Sequence, residues 1–228
     1  MTQDLARRYP ETMAKPRGAG YWLWKPFILR ETLANVPDGD LVLYTDAAMR
    51  FVADPEPMLA CAQDEPIVLF ELPGERFSMR RWTKRDCFIG LDADAPNFHD
   101  ISQLVGGIQL YRAGAEARVF VQNLCAAMTV PHALDDEPNQ LGRDNFPEFE
   151  EHRHDQSVLT IMARKAGLPR FPDPSFEGCR PRLQPETGPD GIRRPATSYG
   201  PIFDIHRKRG TNFWKWYART LLARGPWR

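Results

Sequence analysis

Residues 41–46 read LVLYTD, a short apolar run that ends in an aspartate, with the turn PDGD before it at residues 37–40. Such a run is typical of a buried central β-strand. Asp46 then lies just past the carboxyl end of that strand, where open α/β sheets bind ligands. A carboxylate in that position can hold a divalent cation that bridges a diphosphate. The alternative is that Asp46 only caps the following turn.

The pattern on both sides of this strand predicts alternating strands and helices. Pro26 suits the first turn of a helix, Thr83 and Asp86 have the spacing of a capping box, and Gly167 is a helix stop. We therefore expect an α/β protein with a mostly parallel central sheet flanked by helices. The predicted strands cover residues 41–45, 66–72 and 106–112, and the predicted helices cover residues 26–36, 55–63, 83–91, 116–128, 155–167 and 211–224.

Two long segments lack a helix or strand pattern. Residues 131–151 are polar and contain three prolines, so they read as a loop. Residues 168–201 are rich in proline, glycine and arginine, which predicts an irregular segment, either partly disordered or a flap.

The composition is that of an ordinary globular protein. The chain has 228 residues, of which 42% are hydrophobic and 26% charged, and its formal net charge is zero. Apolar runs stay short of the ~18 residues that a membrane span needs. The N-terminus lacks a secretory pattern, and the four cysteines lack CxxC spacing, which indicates free thiols in a reducing compartment. We expect a cytoplasmic protein that does not bind nucleic acid.

Charge is concentrated near the C-terminus. Residues 179–228 contain eleven lysines and arginines but only three acidic residues. Within them, TNFWKWYARTLLAR at residues 211–224 predicts a basic helix with an aromatic face, which could lie on an anionic membrane surface. This predicts a peripheral contact at the inner membrane. The alternatives are that the helix packs on the domain's own core and that the charge covers acidic parts of the same protein.

The stretch GAGYWLWKP at residues 18–26 contains the first candidate binding residues. Tyr21, Trp22 and Trp24 stand at i, i+1 and i+3, so one regular element cannot bury all three and at least one should face a cleft. An indole ring can stack on a sugar or a base, and Lys25 offers a point charge to a phosphate.

The second candidate stretch is FEEHRHDQSVLTIM at residues 149–162. Gln156 can accept from one sugar hydroxyl and donate to another, and helix N-termini attract anions. Asp155 can also be a simple helix cap. His152 and His154 share one face of an extended chain, which permits a metal pair; the alternative is that both are solvated.

A third candidate lies in GPIFDIHRKRG at residues 200–210. His206 could complete a metal site begun by Asp46. The alternative is a surface histidine in a basic patch.

Together these stretches resemble a known family. RGAGYWLWKPFILRETL at residues 17–33, followed by DLVLYTDAAM at 40–49, is similar to bacterial nucleotide-sugar glycosyltransferases of the GT-A fold, and HRHDQSVLTIM at 152–162 is similar to their second signature. The resemblance covers about residues 17–170. It implies that Mn²⁺ or Mg²⁺ binds the strand-end Asp46. His206 as a second metal ligand matches no motif of the family and is a guess.

The resemblance also implies roles for the other candidates. Asp155 and Gln156 match the catalytic pair beside the donor sugar. The expected donor-binding residues are Tyr21, Trp24, Lys25, Asp46 and His154. The implied activity is transfer of a sugar from a nucleoside-diphosphate sugar to a glycan or lipid-linked hydroxyl acceptor, in cell-surface or capsular polysaccharide synthesis.

Two departures from the family pattern bear on activity. Ala48 occupies the place of the second carboxylate of the usual Asp-x-Asp, and only 16 residues precede the first signature, so we expect the first nucleotide-binding strand to be missing. The predicted organisation is an N-terminally short GT-A-like domain over residues 1–167, followed by an irregular segment and a basic helix over 168–228. The alternatives are a truncated, non-catalytic protein that binds a glycan or nucleotide and a membrane-surface interaction module.

Overall fold

The computed structural model describes residues 2–176 and 180–205. Its helices are α1 (Thr2–Arg8), α2 (Pro10–Met13), α3 (Gly18–Tyr21), α4 (Trp24–Asn35), α5 (Glu56–Leu59), α6 (Cys61–Asp64), α7 (Met79–Trp82), α8 (Arg85–Gly90), α9 (Pro96–His99), α10 (Ala115–Ala127) and α11 (His154–Lys165), with a 3-10 turn at Glu75–Phe77. Its strands are β1 (Leu41–Thr45), β2 (Met49–Phe51), β3 (Ile67–Glu71), β4 (Leu104–Arg112), β5 (Arg170–Pro172), β6 (Glu186–Thr187), β7 (Arg193–Arg194) and β8 (Phe203–Ile205). The prediction of an α/β protein is confirmed.

The central sheet is mixed, with strand order β1-β4-β3-β5. Both β1 and β3 run antiparallel to β4, and only the β3–β5 pair is parallel. The prediction of a mostly parallel sheet is therefore wrong. The reason lies in residues 72–103, whose short helices do not cross back along the sheet. Instead Leu72 donates its backbone N–H to the Gln103 carbonyl oxygen (2.9 Å), so β4 begins beside the end of β3.

Alternating side chains of β3 enter two hydrophobic clusters, one on each face of the sheet. Ile67 and Leu69 belong to the larger cluster, and Val68 and Phe70 to the smaller one. The larger cluster is completed mainly by α4, α8, α10 and α11, and the smaller one by α5, α6 and residues 199–203. Burying one such side chain contributes roughly 1.5–3 kcal/mol. A shift of β3 by one residue against its neighbours would turn each of these side chains to the opposite face of the sheet. Packing in the two clusters therefore fixes the pairing register of β3.

Strand β1 has the predicted limits but not the predicted place. It lies at an edge of the sheet within the described residues, and Leu41 is 44% exposed. The strand is nevertheless apolar because both of its faces are partly covered. Val42 and Tyr44 pack on the larger cluster, and Leu43 packs on the smaller one. The apolar run of β1 therefore indicates that both faces of the strand are covered. It does not indicate that the strand has a neighbour on each side.

Residues 131–151 form the predicted loop, and the first turn of α8 holds it in place. The Asp86 carboxylate accepts the backbone N–H groups of Gln140 (2.6 Å) and Leu141 (3.0 Å), while the Arg85 N–H donates to Asn145 Oδ1 (2.7 Å). The predicted helix is confirmed, but the capping box is wrong, since α8 has no side-chain cap bond and Asp86 faces the loop. This anchored loop leads directly into α11.

The segment after α11 contributes a strand that the sequence analysis missed. Strand β5 pairs with β3, and its Arg170 is 2% exposed and lies 3.0 Å from Glu71 Oε1.

Across residues 2–176 and 180–205, the structure has no helix that is both long and apolar enough to cross a membrane. The predicted basic helix at 211–224 lies outside the described residues, so its membrane contact stays a prediction.

Candidate functional site

Three separate segments meet at one lysine. Lys25 lies in the first turn of α4, Asp46 directly follows β1, and Asp155 lies in the first turn of α11. The Lys25 Nζ atom is 3.2 Å from Asp46 Oδ1 and 2.8 Å from Asp155 Oδ2. The two aspartates, 109 positions apart in the sequence, thus face the same ammonium group.

The ammonium group of Lys25 is fully engaged. Besides the two carboxylates, it donates to the backbone carbonyl oxygen of Gly106 at 3.5 Å. It also lies 5.7 Å from the ring centroid of Trp22 and 5.4 Å from that of Tyr44, within the range of cation–π attraction. Lys25 is only 4% exposed. Three protein oxygens therefore lie within 3.5 Å of an ammonium group that has three N–H donors.

Asp46 has one engaged oxygen and one open oxygen. Its Oδ1 accepts the Tyr44 hydroxyl hydrogen at 2.9 Å in addition to the contact with Lys25. Its Oδ2 has no hydrogen-bond partner in residues 2–176 and 180–205, and the side chain is 28% exposed. The turn after β1 is closed by a backbone bond from Met49 N–H to the Asp46 carbonyl oxygen (3.0 Å), so the carboxylate does not cap it.

Two glycines of β4 form the floor of the site. A Cβ atom on Gly107 would lie 2.7 Å from Asp46 Oδ2, and one on Gly106 would lie 3.0 Å from the Gln156 Cβ and 3.4 Å from Asp155 Oδ2. A side chain at either position would therefore displace a site residue. The sequence predicted only a strand over residues 106–112, although paired glycines inside a strand are a signal of close approach.

Asp155 is buried and electrostatically unusual. It is 8% exposed, and burial raises the pKa of its carboxyl group to about 6, against a smaller lowering by Lys25. The interpretation of Asp155 as a simple helix cap is wrong, because α11 begins at His154 after the cap residue Arg153 and has no side-chain cap bond. The carboxylate points instead at Lys25.

The amide group of Gln156 is held in a fixed orientation. Its Nε2 donates to Gln103 Oε1 at 2.6 Å, and its Oε1 accepts the Gly106 backbone N–H at 3.4 Å. Gln103 is held in turn by donating to Ser157 Oγ at 3.0 Å. The contacts within the described residues leave one amide hydrogen of Gln156 for a ligand. Gln156 is therefore better placed to donate a hydrogen bond than to accept one.

The aromatic segment adopts a left-handed turn. Gly18, Ala19, Gly20, Tyr21 and Trp22 all have φ between 49° and 94°. Each non-glycine residue in this conformation costs roughly 1–2 kcal/mol. Strain of this kind often marks functional sites, and here it brings the ring of Trp22 against Lys25.

Tyr21 and Trp24, the two aromatic residues predicted to bind the donor, contact other parts of the protein. Tyr21 is 6% exposed and stacks on His154, with ring centroids 4.7 Å apart. Trp24 is half-buried and donates its indole N–H to the Gly18 carbonyl oxygen at 3.0 Å. Both therefore support the turn, whereas Trp22 and Tyr44 contact Lys25 directly.

His152, two residues before α11, and His154, the first residue of α11, are both buried, so the interpretation that they are solvated is wrong. His154 Nδ1 lies 2.6 Å from the Leu134 carbonyl oxygen, and burial lowers its pKa. Burial also lowers the pKa of His152 to about 3. The neutral ring of His152 accepts the Lys84 N–H (3.2 Å) and contacts the Ala133 carbonyl oxygen (2.9 Å). With both His152 nitrogens engaged, a metal pair is ruled out.

The metal prediction rests on Asp46. Within residues 2–176 and 180–205, no three His, Cys, Asp or Glu side chains are grouped so that they could hold a metal ion. His206 lies outside those residues. Protein side chains alone do not build a metal centre in the described part of the chain, but Asp46 Oδ2 is free to share an ion with a ligand.

Two surface cavities lie away from this site. The larger, of about 490 Å³, is lined by basic and acidic side chains in mixture, among them Arg76, Arg81 and Glu148. The smaller, of about 330 Å³, lies beside the exposed edge strand at Leu41. Neither lining includes a residue of the Lys25 site.

Comparison of the chain with protein-family models, with curated proteins and with solved structures found no match. The account of this site therefore depends on its own geometry, which places a buried lysine between two aspartates over a floor of glycines.

Proposed function

We propose that this protein is a GT-A-like glycosyltransferase that moves a sugar from a nucleoside-diphosphate sugar to a hydroxyl acceptor. The supporting observation is the meeting of Lys25, Asp46 and Asp155. Each comes from a different one of the three stretches that carry the family resemblance. Residues that only stabilised their own helix or strand would have no reason to converge on one point.

The charge of the site favours a donor that brings its own cation. Lys25 and the two aspartates together carry a net charge of −1 when all three are ionised, which would repel a diphosphate. Mg²⁺ is commonly held by one or two carboxylates together with substrate phosphates, so a single open carboxylate oxygen on Asp46 fits Mg²⁺ or Mn²⁺. Such an ion, when bound, would offset the charge of the leaving diphosphate. His206 remains the proposed second ligand.

The remaining side chains would act on the sugar and the acceptor. A pKa of about 6 leaves Asp155 largely ionised at neutral pH yet basic enough to take a proton from an acceptor hydroxyl. The fixed Gln156 amide would donate to a sugar hydroxyl, and the Tyr44 hydroxyl keeps the Asp46 carboxylate in position. The absence of side chains at Gly106 and Gly107 lets the side chains of Asp46, Asp155 and Gln156 lie directly against β4.

The proposed setting is polysaccharide synthesis beside the inner membrane, with a glycan or lipid-linked acceptor. The eleven basic residues among 179–228 support this setting, since anionic lipid attracts basic segments. Flotation with anionic liposomes, with and without residues 210–228, tests it.

The test of activity uses one assay and matched substitutions. The purified full chain is incubated with Mn²⁺ and a panel of nucleoside-diphosphate sugars, and release of the nucleoside diphosphate is measured. We expect Asp46→Asn and Asp155→Asn to lower the rate by ~100-fold or more. Asp38→Asn is the control, because Asp38 is an exposed aspartate before the opposite end of β1.

Two results would overturn the proposal. One is a wild-type protein that neither transfers nor hydrolyses any donor and is not stabilised by nucleotides. The other is a rate that falls equally in all three variants.

A second candidate function is binding of a glycan or nucleotide without catalysis. It is favoured by the three protein oxygens that already surround the Lys25 ammonium group and by the edge position of β1 in the described sheet. Calorimetry with nucleoside diphosphates separates the two candidates. Binding that does not depend on Mn²⁺ and is followed by no turnover supports binding without catalysis.

A further inference from the structure

We propose that Lys25 is the resident cation of this site and that a divalent ion binds by displacing it from Asp46. This inference rests on the proposed function, because it concerns the cation that would accompany the donor. It assigns Lys25 a positioning role: in the free protein Lys25 holds the two carboxylates, and only after displacement does it offer a donor to the diphosphate.

The first step of the argument is hydrogen-bond capacity. An ammonium group has three donors. Three protein oxygens surround that of Lys25, namely Asp46 Oδ1, Asp155 Oδ2 and the Gly106 carbonyl oxygen, at 3.2, 2.8 and 3.5 Å. A phosphate oxygen can therefore reach Lys25 only if one of these contacts is broken.

The second step is which contact breaks. The contact with Asp155 is shorter and more buried, since the Asp155 side chain is 10% exposed and that of Asp46 is 28% exposed. A contact that faces solvent is weakened by screening, so Asp46 is the carboxylate that Lys25 releases at lower cost.

The third step is competition between two cations. Asp46 Oδ2 has no hydrogen-bond partner among the described residues and the side chain is 28% exposed, so a metal ion can approach that oxygen from solvent while Lys25 still holds Oδ1. Two positive charges on one carboxylate repel each other strongly at a partly buried site. Metal binding and the Lys25–Asp46 contact therefore oppose each other. The structure thus predicts that the free protein binds a divalent ion weakly.

The experiment measures binding of Mn²⁺ alone, by calorimetry and by the electron paramagnetic resonance signal of free Mn²⁺. The full-length wild type is compared with Lys25→Met, Lys25→Arg and Asp46→Asn, each checked for folding by circular dichroism. We expect Lys25→Met to bind Mn²⁺ at least about tenfold more tightly than wild type, because the competing charge is gone. Lys25→Arg should resemble wild type, and Asp46→Asn should lose binding.

A second measurement uses the unmodified chain, in case Lys25→Met does not fold. Lysine acetylation is followed residue by residue by mass spectrometry, with and without saturating Mn²⁺. We expect Mn²⁺ to increase labelling of Lys25 by about threefold or more, as one of its contacts opens. Labelling of Lys15, a half-exposed lysine paired with Glu137, should not change.

The outcomes separate this inference from the proposed function. Folded Lys25→Met that binds Mn²⁺ no more tightly than wild type, or unchanged Lys25 labelling, overturns the inference even if the protein transfers sugar. Tighter Mn²⁺ binding by Lys25→Met, with no transfer by wild type, supports the inference and overturns the proposed function.

Discussion

Replacing Asp155 with asparagine should change how the stability of this protein depends on pH. Burial raises the pKa of the Asp155 carboxyl group from 3.8 to about 6. The folded protein therefore holds this proton more tightly than the unfolded chain does. Its contribution to stability is fully present below pH 3.8 and is lost as the pH rises through about 6. The gap of about two pH units corresponds to about 3 kcal/mol in the free energy of unfolding.

Urea unfolding of wild type and Asp155→Asn at pH values between 4 and 8 measures this effect. The difference between the two free energies isolates Asp155, because the other titrating groups are common to both proteins. We expect the wild type to lose up to about 3 kcal/mol relative to the variant across this range. Asp38→Asn, a change at an exposed carboxylate, should give a much smaller difference.

A flat difference curve, or one that rises with pH, would refute the reasoning, since it would mean that Asp155 is not desolvated. The expected slope would mean that the folded protein retains, at neutral pH, an ionised carboxylate that lowers its stability. Groups held at such a cost are more common in functional sites than in structural ones.

Three further changes test the floor of the site, the buried histidine and the strained turn. Gly107→Ala should turn the Asp46 carboxylate away, because the added methyl group would meet it. We expect Mn²⁺-dependent nucleotide binding to weaken by roughly tenfold and the free energy of unfolding to fall by about 1–2 kcal/mol. An unchanged affinity by calorimetry would contradict this. Because burial lowers the pKa of His152 to about 3, the folded protein binds fewer protons than the unfolded chain below pH 6.5, so stability should fall with falling pH by up to about 1.4 kcal/mol per unit. His152→Asn should lose that part of the acid slope in urea unfolding, and an unaltered slope would disprove the assignment. Ala19→Gly should stabilise by up to about 1 kcal/mol, because relief of the left-handed strain exceeds the entropy cost of glycine, and a lower urea midpoint would contradict it.

Local patterns in the sequence were sufficient to place the elements that carry the site. Strand β1 has the predicted limits, and α11 begins one residue before its prediction. Such elements depend on periodicity and on turn residues a few positions away, which a single sequence displays. For the same reason Lys25, Asp46 and Asp155 could be selected as polar residues beside helix and strand ends.

Only the tertiary structure decided how these elements face one another. The direction of β4, the burial of His152 and the approach of Gly107 to Asp46 all depend on contacts between residues far apart in the chain. Local propensity does not encode such contacts. Lys25 shows the same limit of local sequence patterns. The sequence predicts a free charge that could bind a phosphate, but in the folded chain Lys25 already pairs with two aspartates. The reason is that burying a charged group is costly unless an opposite charge accompanies it.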